Sequence, residues 1–177
     1  MDQKYKDMVA ERLKNNSSDI FGNFTTEHAG YIIEQFIGNA QKSIEILSGN
    51  FADSFYAGIT IAPLLEAAAK RIQKEGGIRI ITVNGKRFDS ISQIASDVNH
   101  KVKMEVIQYL PVRCNNPDKV NHYMIVDDIR YRLEDPHAVV PDGQSPESVK
   151  AEVCCNGPKK ASQLLADFNE IWDKLKR

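Results

Sequence analysis

The sequence has few of the residues that mark a secreted or metal-bound protein. It contains three cysteines in 177 residues, Cys114, Cys154 and Cys155, and no Cys-x-x-Cys pair. An odd count with an adjacent pair is a poor disulfide framework, and the missing spacing argues against a zinc site. We therefore expect reduced thiols, a cytoplasmic location, and no metal or other cofactor.

Long apolar runs and a strong charge of either sign are also missing. Residues 1–16 lack the apolar core of a signal peptide, and no run approaches the ~20 apolar residues that cross a bilayer. The formal net charge is -1. No global basic field therefore draws the chain to nucleic acid or to an anionic membrane, although a local patch is not excluded. We expect no membrane association.

The residues that are present fit one globular unit. Hydrophobic residues make up 42% and charged residues 27% of the chain, and a chain of this length can bury a core without disulfides. Residues 4–15 carry only a weak apolar stripe, which is typical of a surface helix. We divide the chain into an N-terminal helical extension, 1–24, and an α/β domain, 25–177.

Apolar periodicity predicts the elements of that domain. Helices are expected at 26–40, 59–74, 88–98 and 158–176, and strands at 43–47, 78–83, 102–107 and 149–155. A hairpin is expected from 123–126 and 129–133 around Asp127 and Asp128, since aspartate tolerates the backbone angles of tight turns. This order indicates an α/β fold in which helices flank a mixed β-sheet.

Residues 120–137, VNHYMIVDDIRYRLEDPH, place a histidine before an apolar strand that ends in two aspartates. This segment and the order of elements around it resemble the single-copy phospholipase-D-like proteins. That superfamily includes phospholipases, nucleases and phosphodiesterases, and its motif is HxKxxxxD. The histidine attacks phosphorus, the lysine grips phosphate oxygens and the aspartate completes and orients the site. The resemblance implies a phospholipase-D-like fold, with His122 and Asp128 as catalytic candidates.

This sequence departs from the motif at several positions. With His122 as the histidine, the lysine position is Met124 and the aspartate position is Ile129. With Asp128 as the aspartate, the histidine position becomes Asn121. Phosphoryl transfer depends on cations that meet charge on the equatorial oxygens, so a methionine in place of lysine predicts lost catalysis. The simpler interpretation of His122 is a strand-edge histidine bonded to backbone or solvent.

Polar residues elsewhere are candidate ligand contacts. Asn50 and Asn84 follow predicted strands, and ligands of α/β sheets gather at such carboxyl ends. Asn121 is a further candidate. Four cations near the motif could bind an anion, although scattered residues of this kind are more often solvated charges: Arg113, Lys119, Arg130 and Arg132.

Two functions compete. The first is a non-catalytic phospholipase-D-like module that binds or regulates a protein or anionic ligand. The second is a phosphodiesterase or nuclease that uses His122 as nucleophile, with charge supplied by Arg113, Arg130 or a partner subunit. The resemblance implies a homodimer in either case, because single-copy members pair their motifs across a two-fold axis. Nucleic acid or another phosphodiester is an allowed partner that the net charge does not favour.

Overall fold

The structure is a computed structural model that describes residues 1–48, 61–72, 74–82, 88–97, 103–108, 121–135 and 150–176. Within these residues the helices are α1 (Gln3–Lys14), α2 (Thr26–Gly38), α3 (Ile61–Arg71), α4 (Phe88–Ser96) and α5 (Pro158–Leu175). The strands are β1 (Ile20–Asn23), β2 (Ile44–Ser48), β3 (Ile78–Thr82), β4 (Met104–Gln108), β5 (His122–Val126), β6 (Arg130–Glu134) and β7 (Ala151–Cys154).

The described strands form one mixed sheet in the order β1-β7-β6-β5-β2-β3-β4. Strands β2, β3 and β4 are parallel, and every other neighbouring pair is antiparallel. The last residues of β1, β2, β3, β4 and β6 therefore lie at one edge of the sheet, where β5 and β7 begin. We call this edge the carboxyl edge. The predicted α/β fold with a mixed sheet flanked by helices is confirmed.

Helices cover both faces of the sheet. One core cluster joins the sheet to α1, α2, α3 and α4, and includes Val9, Phe36, Leu65 and Ile91. The second cluster joins the opposite face to α5 through residues such as Trp172, which is 4% exposed. Trp172 thereby anchors the last helix on the sheet. Cys154 and the following Cys155 belong to different clusters and are both free thiols.

The N-terminal segment differs from the sequence-based expectation. The side chain of Thr25 accepts the His28 N–H and caps the start of α2. However, segment 1–24, which we predicted to be a helical extension, also contains β1, and Ile20 pairs with Cys154 of β7. Local sequence does not predict a strand of four residues that pairs with a strand about 130 positions away. The domain boundary itself stays a prediction.

The turn between β5 and β6 follows the predicted chemistry. Asp127 and Asp128 have φ values of 57° and 63°, both in the left-handed region. The Ile129 N–H donates to the Val126 carbonyl oxygen at 3.2 Å. These values define a type I′ turn, whose twist matches that of the flanking strands. The hairpin predicted around the two aspartates is therefore confirmed, with β5 beginning one residue earlier than predicted and β6 lying one residue later.

Candidate ligand-binding site

His122 is the first residue of β5, at the carboxyl edge, and is 7% exposed. Its side chain lies on the face covered by α1 to α4, because side chains alternate along a strand and Met124 and Val126 belong to that core cluster. Glu134, 3% exposed, is its register partner on β6. A buried histidine therefore lies beside a buried carboxylate, and both residues have interactions with their surroundings.

Polar side chains continue across the sheet at the level of His122. Thr82 pairs with Ser48, Ser48 lies one position beyond the Leu47–Tyr123 pair, and Glu134 and Asn23 both pair with Ala151. We call the following residues of this level the polar row: Thr82, Ser48, His122, Glu134 and Asn23. Each of them is 7% exposed or less, although polar side chains are usually at the surface.

Arg132 lies two residues before Glu134 on β6 and binds two members of the polar row. Its guanidinium is 1% exposed; Nε donates to Oδ1 of Asn23 at 2.9 Å, and Nη1 donates to Oε2 of Glu134 at 2.7 Å. Because Glu134 and Asn23 lie on either side of Ala151 in the sheet, the guanidinium lies above this small side chain. The formal charges of Arg132 and Glu134 cancel, so the row carries a charge pair rather than a net positive charge.

Several buried polar atoms of this region have no hydrogen-bond partner. Among the described residues they include Nη2 of Arg132, Nδ2 of Asn23 and Oγ1 of Thr82. A buried donor without a partner costs about 1–3 kcal/mol, so native proteins keep few of them. Three such atoms at one edge of the sheet mark the polar row as a place that can donate hydrogen bonds to an additional group.

Helix α1 covers the β1 end of the polar row. The Tyr5 hydroxyl donates to the Gly22 carbonyl oxygen at 3.2 Å, and the Tyr5 ring stacks on His28 with centroids 3.7 Å apart. Burial raises the pKa of Tyr5 to about 12, and the nearby positive charge of Arg132 opposes this shift. Tyr5 therefore stays neutral at physiological pH and serves as an uncharged donor next to the buried charge pair.

Asp127 holds the opposite end of the β5–β6 hairpin. Its Oδ1 accepts the successive backbone N–H groups of Gln41, Lys42 and Ser43 at 2.9, 2.6 and 3.2 Å, and its Oδ2 accepts Nη1 of Arg130 at 2.7 Å. Three consecutive N–H groups around one oxygen form an anion-binding nest. The carboxylate thus fixes the chain that leads into β2, at the edge of the sheet opposite to the carboxyl edge.

The structure does not bring the two catalytic candidates together. Asp128 is exposed in the turn, whereas His122 begins the strand. Six residues at about 3.3 Å each separate their Cα atoms by roughly 20 Å. Asp127 and Asp128 therefore lie at the end of the hairpin opposite to His122, whereas Glu134 lies beside it. Asn121 is exposed immediately before β5, and Asn50, Asn84 and Arg113 lie outside the described residues.

The interpretation of Arg130 and Arg132 as solvated charges was wrong. Their side chains are 16% and 1% exposed, and each forms a buried or partly buried ion pair. Arg130 lies at the Asp127 end of the hairpin and does not supply charge beside His122. Sequence reasoning missed Asn23 and the pairing of Glu134 with Arg132. The available signal was the opposite charge of Arg132 and Glu134, two positions apart and therefore on one face of a strand.

The described part of the chain lacks two further classes of site. There, no group of three or more histidine, cysteine, aspartate or glutamate side chains could hold a metal ion. No helix within those same segments has the length and apolar character needed to cross a membrane.

No protein-family model matches this sequence, and no curated protein sequence is similar to it. The fold, in contrast, is similar to solved structures. A phospholipase D family member, Nuc from Salmonella typhimurium, is 18% identical with a TM-score of 0.61, covering 88% of this chain and 94% of Nuc. NucT from Helicobacter pylori is 14% identical with a TM-score of 0.59, covering 88% of this chain and 97% of NucT.

A third similar structure is TrmBL2, an archaeal chromatin protein with a novel mode of DNA binding. It is 12% identical with a TM-score of 0.57, and the match covers 97% of this chain and 60% of TrmBL2. Together these structures show that the chain has the phospholipase-D-like fold. At such low identities the likeness establishes the fold, and the activity has to be argued from the residues of the carboxyl edge.

Proposed function

We propose that this chain is a non-catalytic phospholipase-D-like domain that acts as a binding or regulatory module. The observation that carries the proposal is Met124. It stands two residues after His122, where the HxKxxxxD motif has its lysine, and is 1% exposed within the core cluster under α1 to α4. A buried thioether cannot stabilise the charge that develops on the equatorial oxygens in phosphoryl transfer.

The contacts of Asp127 support the same conclusion. Asp127 accepts three backbone N–H groups, as expected of an aspartate that orients a site. Asp128, in contrast, is exposed. Counted back from Asp127, the motif puts His122 at the lysine position and Val120 at the histidine position. Counted back from Asp128, it puts Asn121 at the histidine position. With either aspartate, the chain lacks the combination of a nucleophilic histidine and a lysine two residues later.

The alternative is a phosphodiesterase that uses His122 as nucleophile. One observation favours it: Arg132 is the register partner of Met124, so a buried cation lies on the neighbouring strand. However, this cation is already paired with Glu134 at 2.7 Å, which reduces its ability to neutralise a phosphoryl group. The homodimer and the protein partner implied by the resemblance stay predictions.

A hydrolysis assay separates the two functions. We expect the purified protein to release no p-nitrophenol from bis(p-nitrophenyl) phosphate above the level of the His122→Ala variant, because neither has the cation that the reaction needs. Circular dichroism of both proteins confirms that they are folded. Turnover by the unaltered protein that the His122→Ala variant loses would replace the proposal by the phosphodiesterase alternative.

A further inference from the structure

Among the described helices, α5 is the one that packs on its face of the sheet, and it covers only part of that face. Its contacts are mainly with β2, β5 and β6, whereas β7 and β1 lie beyond β6 in the sheet. Neighbouring strands are about 4.8 Å apart, so β7 lies roughly 10 Å and β1 roughly 14 Å to one side of β5. Because packed helices lie about 8–10 Å apart, this part of the sheet has room for one more helix beside α5.

Two cavities lie on this part of the face, with volumes of about 380 and 550 Å³. Both are lined by Ile20 of β1 and Glu152 of β7, so they form one continuous depression, which we call the β1–β7 groove. Phe24 and Leu133 line its end at the carboxyl edge, and the first turn of α5 lines the opposite end. The groove follows β1 from Ser18 to Phe24, a length of roughly 20 Å that a helix of about 13 residues spans.

The groove contains two large apolar side chains that water reaches. Ile20 is 61% exposed and Phe24 is 63% exposed, and Met1 is the one other exposed large apolar side chain among the described residues. Ile20 points to the α5 side, because the next residue, Phe21, belongs to the core cluster under α1 to α4. The Phe24 ring lies on the same side against Gly22, where a Cβ atom would come within 2.5 Å of it. Exposed apolar side chains that adjoin in one groove mark an interaction surface.

The backbone of β1 is less suited to pairing with an added strand. The Gly22 carbonyl oxygen accepts the Tyr5 hydroxyl at 3.2 Å. Just before the strand, the Asp19 carbonyl oxygen accepts Nη1 of Arg12 at 3.2 Å. A strand that adds to a sheet needs such backbone groups as its partners. Side chains of α1 therefore occupy backbone acceptors along β1, whereas the groove lies on the face of the sheet, where a helix packs.

The first turn of α5 makes one end of the groove positive. It contains Lys159 and Lys160 and no acidic residue, and its cap, Gly157, has no side chain to accept an N–H group. The amino end of a helix carries a partial positive charge, which lysines there increase and acidic residues offset. Helix α2 has the favourable arrangement, with Thr25 as its cap and Glu27 in its first turn. Acidic side chains of a partner would supply this compensation at α5.

Resting on the proposed binding function, we infer that the β1–β7 groove docks an amphipathic helix of a protein partner. The apolar stripe of that helix packs on Ile20 and Phe24, and its acidic side chains lie beside Lys159 and Lys160. Recognition of a helix in a groove uses apolar anchors at helical spacing along one face. Burial of these anchors provides affinity, and the charge complementarity at the α5 end sets the orientation of the bound helix.

The test uses two synthetic peptides of about 14 residues, the length of a helix that fits the groove. One carries leucines at helical spacing on one face and glutamates on the other, and the second has lysines in place of the glutamates. Fluorescence anisotropy of each labelled peptide is measured during titration with the full chain. We expect saturable binding of the glutamate peptide and at least about tenfold weaker binding of the lysine peptide, a difference of ~1.4 kcal/mol.

Variants of the full chain locate the binding surface. The double variant Ile20→Ser, Phe24→Ser removes both apolar anchors, and we expect it to bind the glutamate peptide at least about tenfold more weakly. Its thermal midpoint should match that of the unaltered protein, because both side chains are exposed. Lys159→Glu should weaken binding about threefold or more. The matched control is Lys4→Glu, since Lys4 is likewise the exposed second residue of a helix but does not line the groove, and we expect an unchanged affinity.

Several results would overturn the inference. They include no saturable binding of the glutamate peptide, equal binding of the two peptides, and equal weakening by Lys159→Glu and Lys4→Glu. A much lower thermal midpoint of the double variant would mean that other residues of this chain already cover the groove. A homodimer in sedimentation analysis that the double variant loses would mean that a second copy covers it. Hydrolysis of bis(p-nitrophenyl) phosphate would refute the proposed function instead, whether or not the peptide binds.

Discussion

Replacing Asp127 by asparagine is expected to lower the free energy of unfolding by about 3 kcal/mol or more, because the substitution removes a buried charge that partners both Arg130 and three backbone N–H groups. For a chain of this length, that loss lowers the midpoint of thermal unfolding by roughly 6–12 °C. Asparagine tolerates the positive φ of 57°, so backbone strain does not contribute to the loss. Thermal and urea unfolding followed by circular dichroism measure it.

The control for this prediction is the neighbouring residue. Asp128→Asn changes the same charge at a φ of 63°, but the Asp128 side chain is exposed, so we expect an effect within about 0.5 kcal/mol. Equal losses in the two variants would mean that the net charge of the turn, rather than the Asp127 contacts with Gln41, Lys42 and Ser43, stabilises the hairpin.

Glu134→Ala is expected to be the most destabilising of the proposed substitutions, with a loss of about 3–5 kcal/mol. The variant leaves the guanidinium of Arg132, 1% exposed, with an uncompensated charge beside a neutral amide. The double variant Arg132→Met, Glu134→Leu removes both charges, and we expect it to recover most of the loss, because a buried ion pair gains little over apolar side chains of similar volume. Urea unfolding of the three proteins gives the comparison.

An exposed pair provides the reference value. Glu170 contacts Lys174 at 2.5 Å with both side chains 68% exposed, so the loss of stability in Glu170→Ala should be small compared with that in Glu134→Ala. If the double variant were as unstable as Glu134→Ala, then lost contacts of the Glu134 side chain, rather than an unpaired charge on Arg132, would explain the destabilisation.

Local sequence patterns were sufficient to predict most helices and strands of this fold. The continuous apolar strand IRIIT, the stripe that includes Phe168 and Trp172, and the paired aspartates each predict their own structure, because their signal comes from residues close together in the chain. Strand β1 gives no such signal. Its four residues become a strand through pairing with β7, and one of its outward side chains, Ile20, is 61% exposed.

The candidate site was less predictable than the fold. His122 and Met124 could be singled out by spacing alone, and Ser48 by its place at the end of a strand. The roles of Asp127, Arg132 and Asn23 could not, because each depends on partners far away in the sequence: Asp127 bonds to the chain 84 to 86 residues earlier, and Arg132 bonds to an asparagine 109 residues earlier. From the sequence, Arg132 was interpreted as a solvated charge and Asp127 as a turn residue.

The sequence by itself therefore determined the alternation of helices and strands, the type of hairpin turn and the missing lysine after His122. Only the tertiary structure decided which polar side chains are enclosed together at the carboxyl edge. The physical reason is that turn and periodicity preferences act between near neighbours, whereas burial of a charge depends on every strand and helix that excludes water from it. The elements that exclude water from Arg132 are β1, β6, β7 and α1. No local sequence pattern predicts that these four elements pack together.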